Sequence, residues 1–230
     1  MTALMICCKE GHSNAVTSLL KFKHNELDAD GHSPNGDTAL ILATRGGHVE
    51  IVKQLIDRVR MPAAVNNLGV NAFFIACSLG FKSIVEILLT RNVVRQNAHV
   101  LGPAGVAPVH MAALNGHTDI VMKVLLCIKE KNPKTASGRT VLHVAMAAGH
   151  REVVKAIIPM LDNFLEIDAN GQTPIAAAVA NKHYDLARLV INEMLSRFDI
   201  PEGEKVYINR MMMQMVCMYC TFSNLNMIRF

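Results

Sequence analysis

Hydrophobic residues recur along this chain in short segments that have the period of an amphipathic helix. The clearest example covers residues 49–56 (VEIVKQLI), where apolar residues stand three and four positions apart. Residues 118–121 (TDIV) and 151–154 (REVV) begin further segments of the same kind. A shorter apolar segment precedes each of them, so the pattern predicts pairs of helices.

These pairs recur in register with a glycine that is followed by a ring-bearing residue. Gly11-His12, Gly47-His48, Gly80-Phe81, Gly116-His117 and Gly149-His150 lie 36, 33, 36 and 33 residues apart, and Lys182-His183 follows 33 residues later. Small residues stand four positions before each pair: Cys7, Ala43, Ala76, Ala112, Ala145 and Ala178. A second glycine recurs at Gly36, Gly69, Gly105, Gly138 and Gly171. A period near 33 residues indicates a stack of structural repeats.

The first helix of each pair begins with a related sequence, such as Thr38-Ala39-Leu40, Thr140-Val141-Leu142-His143 and Thr173-Pro174-Ile175. With the Gly-His pairs, these sequences make the chain resemble the ankyrin-repeat family over about residues 1–195. The resemblance implies an all-α fold, an ankyrin-repeat solenoid of stacked helix-turn-helix units joined by β-turn fingers. One such unit cannot bury its own apolar face, so stability comes from contacts between neighbours.

The register predicts six repeats, at approximately residues 1–34, 35–67, 68–103, 104–136, 137–169 and 170–195. Repeat 3 carries Asn71-Ala72-Phe73-Phe74, and we expect it to lack the usual helix cap. The loops after repeats 1 and 3 are three residues longer than the others. The chain starts directly at a first helix, which suggests either a piece of a longer protein or a trimmed terminal repeat.

Residues 196–230 fit the repeat pattern poorly and contain the methionine-rich segment 211–218. We expect a degenerate seventh repeat whose methionines cover the end of the stack, because Met adapts to irregular gaps. The alternative is a Met-rich surface that docks a partner or another domain.

Composition and charge narrow the class of protein further. The net charge of +4 is spread along the chain, which argues against a nucleic-acid interface. No apolar run reaches the roughly 18–20 residues that span a bilayer, and the N-terminus does not have the pattern of a signal peptide. The six cysteines lack the spacing of a secreted disulfide framework. We therefore expect an intracellular monomer, in the cytoplasm or the nucleus.

We expect the histidines and cysteines of this chain to have structural roles and not catalytic ones. In the family that this chain resembles, histidines at the positions of His12, His48, His110, His117, His143, His150 and His183 hydrogen-bond neighbouring loops and repeats. Cys217 and Cys220 have the spacing of half a zinc site, but two further ligands are missing. Cys8 and Cys77 occupy equivalent small packing positions. No motif of an active site occurs, so we predict no enzyme activity, cofactor or metal.

The resemblance implies that a partner would contact the finger tips and the exposed ends of the inner helices, which line a concave surface. The candidate residues at these positions are Arg45, Leu68, Val70, Leu79, Val106, Leu114, Asn115 and Arg139. The apolar members could form one patch across repeats 3 and 4 with a polar rim, the usual organisation of an interface. Alternatively, the longer loop after repeat 3 folds over them.

The sequence therefore predicts a non-catalytic module that binds a partner protein or peptide on its concave face. The alternative is a regulatory or targeting segment of a larger enzyme, channel or effector, in which this recognition serves a function encoded elsewhere in the parent protein.

Overall fold

The computed structural model describes residues 1–22, 29–98, 102–128 and 132–197 of the 230-residue chain. The chain is divided into two compact units, of which the first is Met1–Ala136 and the second begins at Ser137. The regular elements of the described residues are helices, as the resemblance predicts. The Met-rich segment and the Cys217–Cys220 pair lie outside the described residues.

The first unit contains helix pairs that stack in chain order. Its helices are α1 (Ala3–Glu10), α2 (Ser13–Phe22), α3 (Ala39–Arg45), α4 (Val49–Ile56), α5 (Ala72–Leu79), α6 (Lys82–Leu88), the short α7 (Asn92–Gln96), α8 (Pro108–Leu114) and α9 (Thr118–Cys127). The inner helices α1, α3, α5 and α8 pack each on the next, and so do the outer helices α2, α4, α6 and α9. Helix α7 lies within the longer loop after repeat 3.

The second unit repeats this arrangement with two helix pairs in its described part. Its helices are α10 (Val141–Ala148), α11 (Arg151–Ile157), α12 (Pro174–Ala180) and α13 (Tyr184–Arg197), and a single 3-10 turn, Ile158–Met160, extends α11. Helices α10 and α12 pack on each other, and each packs on the outer helix that follows it.

The first residues of the inner helices explain where those helices begin. The hydroxyl of Thr38 accepts a hydrogen bond from the N–H of Ile41 at 3.2 Å, which satisfies a donor that has no partner within the helix. The expectation that repeat 3 lacks its cap is wrong, because the Asn71 side chain accepts from the N–H of Phe74 at 2.8 Å. Asparagine is as good a cap as threonine. Repeat 4 is the exception, since Ala107 makes no side-chain cap.

The turn between inner and outer helices depends on a left-handed backbone residue. Gly80 ends α5 with φ +79°, and a Cβ added there would lie 2.5 Å from Cε1 of His117 in the next repeat. Glycine is therefore required both for its conformation and for the close approach of the histidine ring. Lys182 takes the same position in the last described pair with φ 65°.

Small residues fill the layer between neighbouring inner helices. Ala43, Ala76 and Ala112 are fully buried at equivalent positions of α3, α5 and α8. Cys8 and Cys77 are also fully buried, as expected for packing residues. Burial raises the pKa of the Cys8 thiol to about 12 and raises that of Cys77 as well, so both thiols stay protonated at neutral pH.

Candidate partner-binding surface

The fingers that precede the inner helices carry several of the predicted binding residues. We name them finger 2 (residues 33–37), finger 3 (66–70) and finger 4 (102–106). In finger 3, the N–H of Asn66 donates to the carbonyl oxygen of Val70 at 2.9 Å. The side-chain oxygen of Asn66 accepts from the N–H groups of Leu68 and Val70, both at 3.0 Å. The finger is thus a closed turn with Leu68 at its tip, and this residue is 72% exposed.

A polar cluster fixes finger 3 to the repeat before it. The Arg45 guanidinium donates two hydrogen bonds to the Asp37 carboxylate, at 2.8 and 3.0 Å. The side-chain amide of Asn66 donates to the same carboxylate at 2.8 Å. We call these three residues the Asp37 clasp. Because Asn66 also organises the turn, the clasp holds the tip of finger 3 in place.

The electrostatics of the clasp follow from its geometry. Burial alone would raise the pKa of Asp37, whose side chain is only 5% exposed, but the hydrogen bonds from Arg45 and Asn66 outweigh it and lower the pKa. The charge of Arg45 is accordingly balanced within the protein. Sequence reasoning assigned Arg45 to partner contact, whereas the structure gives it an internal role as well.

The ends of two neighbouring inner helices carry the other predicted residues of the first unit. Leu79 is the last residue of α5 and is 48% exposed, and Leu114 is the last residue of α8 and is 45% exposed. The Asn115 amide donates to the Ser78 carbonyl at 2.8 Å, which ties these two ends together. Asn115 therefore positions this part of the surface.

The predicted patch is divided into two parts by the length of the inner helices. Leu68, Val70 and Val106 lie on the fingers, before the helices begin, whereas Leu79 and Leu114 lie where the helices end. An eight-residue helix such as α5 is about 12 Å long. The two parts are therefore roughly that distance apart along α5, and other side chains must lie between them.

Sequence reasoning missed two partly exposed apolar residues between these parts, Phe74 on α5 and Met111 on α8. Phe74 stands four positions before Ser78, the neighbour of the exposed Leu79, and Met111 stands three before Leu114. Each therefore shares a helix face with a residue of the last turn of its helix. That spacing was readable from the sequence. We define the central surface as Leu68, Val70, Phe74, Leu79, Val106, Met111 and Leu114.

The longer loop after repeat 3 packs on the outer side of the stack. The Arg91 guanidinium donates to the carbonyl of Ile56, at the end of outer helix α4, and Val94 of α7 is buried. Leu68, Leu79 and Leu114 remain between 45% and 72% exposed. The described part of the loop therefore leaves these leucines exposed.

Arg139, the remaining predicted residue, belongs to the second unit. Its Nε lies 3.5 Å from Oδ2 of Asp168, whose side chain is 1% exposed. The other carboxylate oxygen accepts from the N–H groups of Asn170 and Gln172, both at 2.9 Å. Burial would raise the pKa of Asp168, but these backbone hydrogen bonds and the charges of His143 and Arg139 lower it. The Arg139 side chain thus pairs with the carboxylate that organises the next finger.

The repeat histidines have structural roles where their partners are described. Nε2 of His48 lies 3.1 Å from the Lys9 carbonyl oxygen, and Nε2 of His117 lies 3.1 Å from that of Ser78. His143 bonds the carbonyl of Gln172 at 2.9 Å. Within the ranges that the structure describes, no three His, Cys, Asp or Glu side chains are grouped as metal ligands.

Comparison with known proteins agrees with this architecture. The family model "Ankyrin repeats (3 copies)" matches residues 4–99, 92–162 and 109–200. The chain belongs to the ankyrin-repeat family. Ankyrin repeats are protein-interaction modules, and their fold is typically non-catalytic. None of the described helices combines the length and the apolar character needed to cross a membrane.

Curated relatives match a little over half of the chain. The probable E3 ubiquitin-protein ligase XBOS33 of Oryza sativa subsp. japonica is 33% identical over 130 residues, which are 54% of this chain and 24% of that protein. The E3 ubiquitin-protein ligase XBAT33 of Arabidopsis thaliana is 29% identical over 124 residues, 54% of this chain and 22% of the relative. The match thus spans about a quarter of the length of these ligases.

Solved structures show the same fold. An ankyrin repeat domain from Acinetobacter baumannii AYE superposes with a TM-score of 0.72 at 19% identity, covering 83% of this chain and 96% of that one. The human ASB11 ankyrin repeat domain superposes with a TM-score of 0.71 at 20% identity, covering 84% of each chain. At these identities the similarity shows the ankyrin-repeat fold alone.

Proposed function

We propose that this chain is a non-catalytic interaction module that binds a partner protein or peptide on the central surface. The observation that carries the proposal is the exposure of Leu68, Leu79 and Leu114 on well-fixed backbone. The Asp37 clasp holds the finger that presents Leu68, and Asn115 ties together the helix ends that present the other two. Large apolar side chains on rigid elements lose little entropy on binding.

The energetics favour the leucines as anchors. Complete burial of an exposed Leu side chain contributes about 1.5–3 kcal/mol. A few central residues usually dominate the binding energy of an interface, while the polar groups around them exclude water. In the central surface, the leucines would serve as anchors, and Ser78 and Asn115, already hydrogen-bonded to each other, would form part of the polar rim.

The proposal is tested by affinity capture from a cell lysate with three immobilised proteins. They are the wild type, the double variant Leu68→Glu, Leu114→Glu, and the control Leu126→Glu. Leu126 lies on outer helix α9 of the same unit and is 72% exposed, the same fraction as Leu68. The two surfaces are therefore compared with the same chemical change, and circular dichroism verifies that each variant is folded.

We expect the wild type and Leu126→Glu to capture the same protein and the double variant to lose it. A protein that all three retain, or that only Leu126→Glu loses, would refute the central surface as the binding site. On gel filtration we expect the 25.2 kDa chain to elute as a monomer. We propose a cytoplasmic or nuclear location, which imaging of the tagged chain would check.

A second candidate function is the recognition segment of a larger ubiquitin ligase. It is favoured by the rice and Arabidopsis relatives, which are named as ligases and which the chain matches over about a quarter of their length. Sequencing the complete transcript tests it. A reading frame that continues into a ligase domain would support this role, whereas a frame without one would refute it and leave the first proposal standing.

A further inference from the structure

A backbone hydrogen bond joins a finger to the one before it at three places in the described residues. The N–H of Asn67 donates to the carbonyl oxygen of Asn35 in finger 2 at 3.2 Å. The N–H of Ala136 donates to the carbonyl oxygen of Gly105 in finger 4 at 2.8 Å. In the second unit, Ala169 donates to Ser137 at 2.9 Å. Each donor stands two residues before the glycine of its own finger.

The junction between fingers 3 and 4 lacks this bond for a covalent reason. The residue two positions before Gly105 is Pro103, which has no backbone N–H to donate. The side-chain link is missing too, because the residues equivalent to Asp37 and Asn66 are here Val70 and Gly102. A Cβ on Gly102 would lie 2.8 Å from Cε2 of Phe74, so the ring occupies the space that a polar side chain would need.

Among the described residues, finger 3 therefore has an open backbone edge on the side of finger 4. A Cβ added to Gly36 would meet the side-chain oxygen of Asn67 at 2.4 Å, whereas one added to Gly69 has no described atom within 4 Å. Among the described residues, none donates a hydrogen bond to the carbonyl of Leu68. Within the part of the chain that the structure describes, this acceptor is therefore unused, and it belongs to Leu68, the most exposed leucine of the central surface.

We propose that the partner supplies the missing backbone: an extended or turn-forming peptide segment whose N–H donates to the Leu68 carbonyl, as the next finger does to the equivalent carbonyls of Asn35 and Ser137. This inference rests on the proposed function and names the chemistry of its partner. Adding backbone to an unpaired edge gives affinity through main-chain bonds and specificity through adjacent side chains.

The side chains around the edge define the rest of the segment. Leu68 and Val70 flank the open carbonyl, and the charge of Arg45 is already balanced by Asp37. The binding segment accordingly carries an apolar, uncharged anchor next to a residue other than proline. The Asp37 clasp offers no unbalanced charge to an acidic or basic side chain of the segment.

The test uses synthetic peptides selected from a random 12-residue display library on the wild-type chain, with the Leu68→Glu, Leu114→Glu variant for counter-selection. Each backbone N–H of the tightest peptide is then replaced in turn by N-methyl, and the dissociation constant is measured by isothermal titration calorimetry. Methylation removes one donor and leaves the side chains intact.

We expect one N-methyl position, adjacent to an apolar residue, to weaken binding about tenfold, as the loss of one backbone hydrogen bond implies. A peptide that requires Leu68 and Leu114 but tolerates methylation at every position would overturn the backbone inference and leave the proposed function intact. Selection that yields no peptide dependent on these leucines would overturn both.

Discussion

Finger 3 meets its two neighbours in opposite ways. Towards finger 2 it makes a backbone hydrogen bond from Asn67 and takes part in the buried Asp37 clasp. Towards finger 4 it has neither, because Pro103 cannot donate and Gly102 carries no side chain, and Phe74 packs there instead. The two junctions thus differ in the polar links that the described residues make, and the loop before finger 4 is three residues longer than the one before finger 3.

This difference shows how a uniform stack acquires a distinct site. A finger without hydrogen bonds to either neighbour would lose conformational entropy when a partner binds. A finger hydrogen-bonded to both neighbours would offer that partner no backbone group. Finger 3 is held in place by its contacts with finger 2 and leaves its backbone edge towards finger 4 available to a partner. A preorganised site of this kind favours affinity.

Gly36→Ala and Gly69→Ala compare the two junctions with the same substitution. Both glycines have positive φ, of 77° and 72°, so each alanine costs about 1 kcal/mol of backbone strain. At Gly36 the new Cβ would also lie 2.6 Å from the backbone nitrogen of Asn67. We expect Gly36→Ala to lower the free energy of unfolding by about 3 kcal/mol and Gly69→Ala by about 1 kcal/mol. Urea denaturation measures both, and equal losses would mean that the second junction is closed.

Asp37→Ala removes the acceptor that Arg45 and Asn66 share. We expect a loss of about 2 kcal/mol in the free energy of unfolding, because buried hydrogen bonds to a charged group are broken and Asn66 loses a partner. We also expect weaker binding of any peptide that requires Leu68. The control Asp57→Ala removes a carboxylate that is 83% exposed and 3.9 Å from Arg91, and should change stability little. Equal effects of the two substitutions would contradict the role of the clasp.

Asn71→Ala tests the cap at the start of α5, directly after finger 3. We expect it to lower the free energy of unfolding by about 1 kcal/mol, because the N–H of Phe74 loses its acceptor. Thr38→Ala, at the equivalent position after finger 2, is the matched substitution and should cost a similar amount. A neutral Asn71→Ala would restore the original expectation that repeat 3 is uncapped.

The pH dependence of stability gives the smallest effect. The pKa of Asp37 is lowered in the folded protein, so its contribution is present above the ordinary Asp pKa of 3.8 and is lost as pH falls through the lowered value. We therefore expect acid to destabilise the wild type more than Asp37→Ala between pH 5 and the acid limit of folding. Asp168, whose pKa is also lowered, is common to both proteins and cancels in the difference. Parallel curves would argue against the clasp.

The repeat register determined much of the fold because its signals act locally. A glycine permits the left-handed turn after an inner helix, and a Thr or Asn side chain caps the helix that it precedes. The inner and outer helices, the finger glycines and the buried positions of Cys8 and Cys77 all follow from spacing along the chain. The exposed leucines at the ends of α5 and α8 follow in the same way.

The tertiary structure decided which of these features meet. The sequence alone places Arg45 at the rim of a binding surface, but the fold brings Asp37 of finger 2 against it. The sequence also predicts no cap in repeat 3, whereas the Asn71 side chain accepts a hydrogen bond from the N–H of Phe74. The open edge arises because Pro103 stands where another finger supplies an N–H. The finger that it affects is finger 3, in the preceding repeat. Such effects depend on residues brought together by stacking, so periodicity along the chain cannot reveal them.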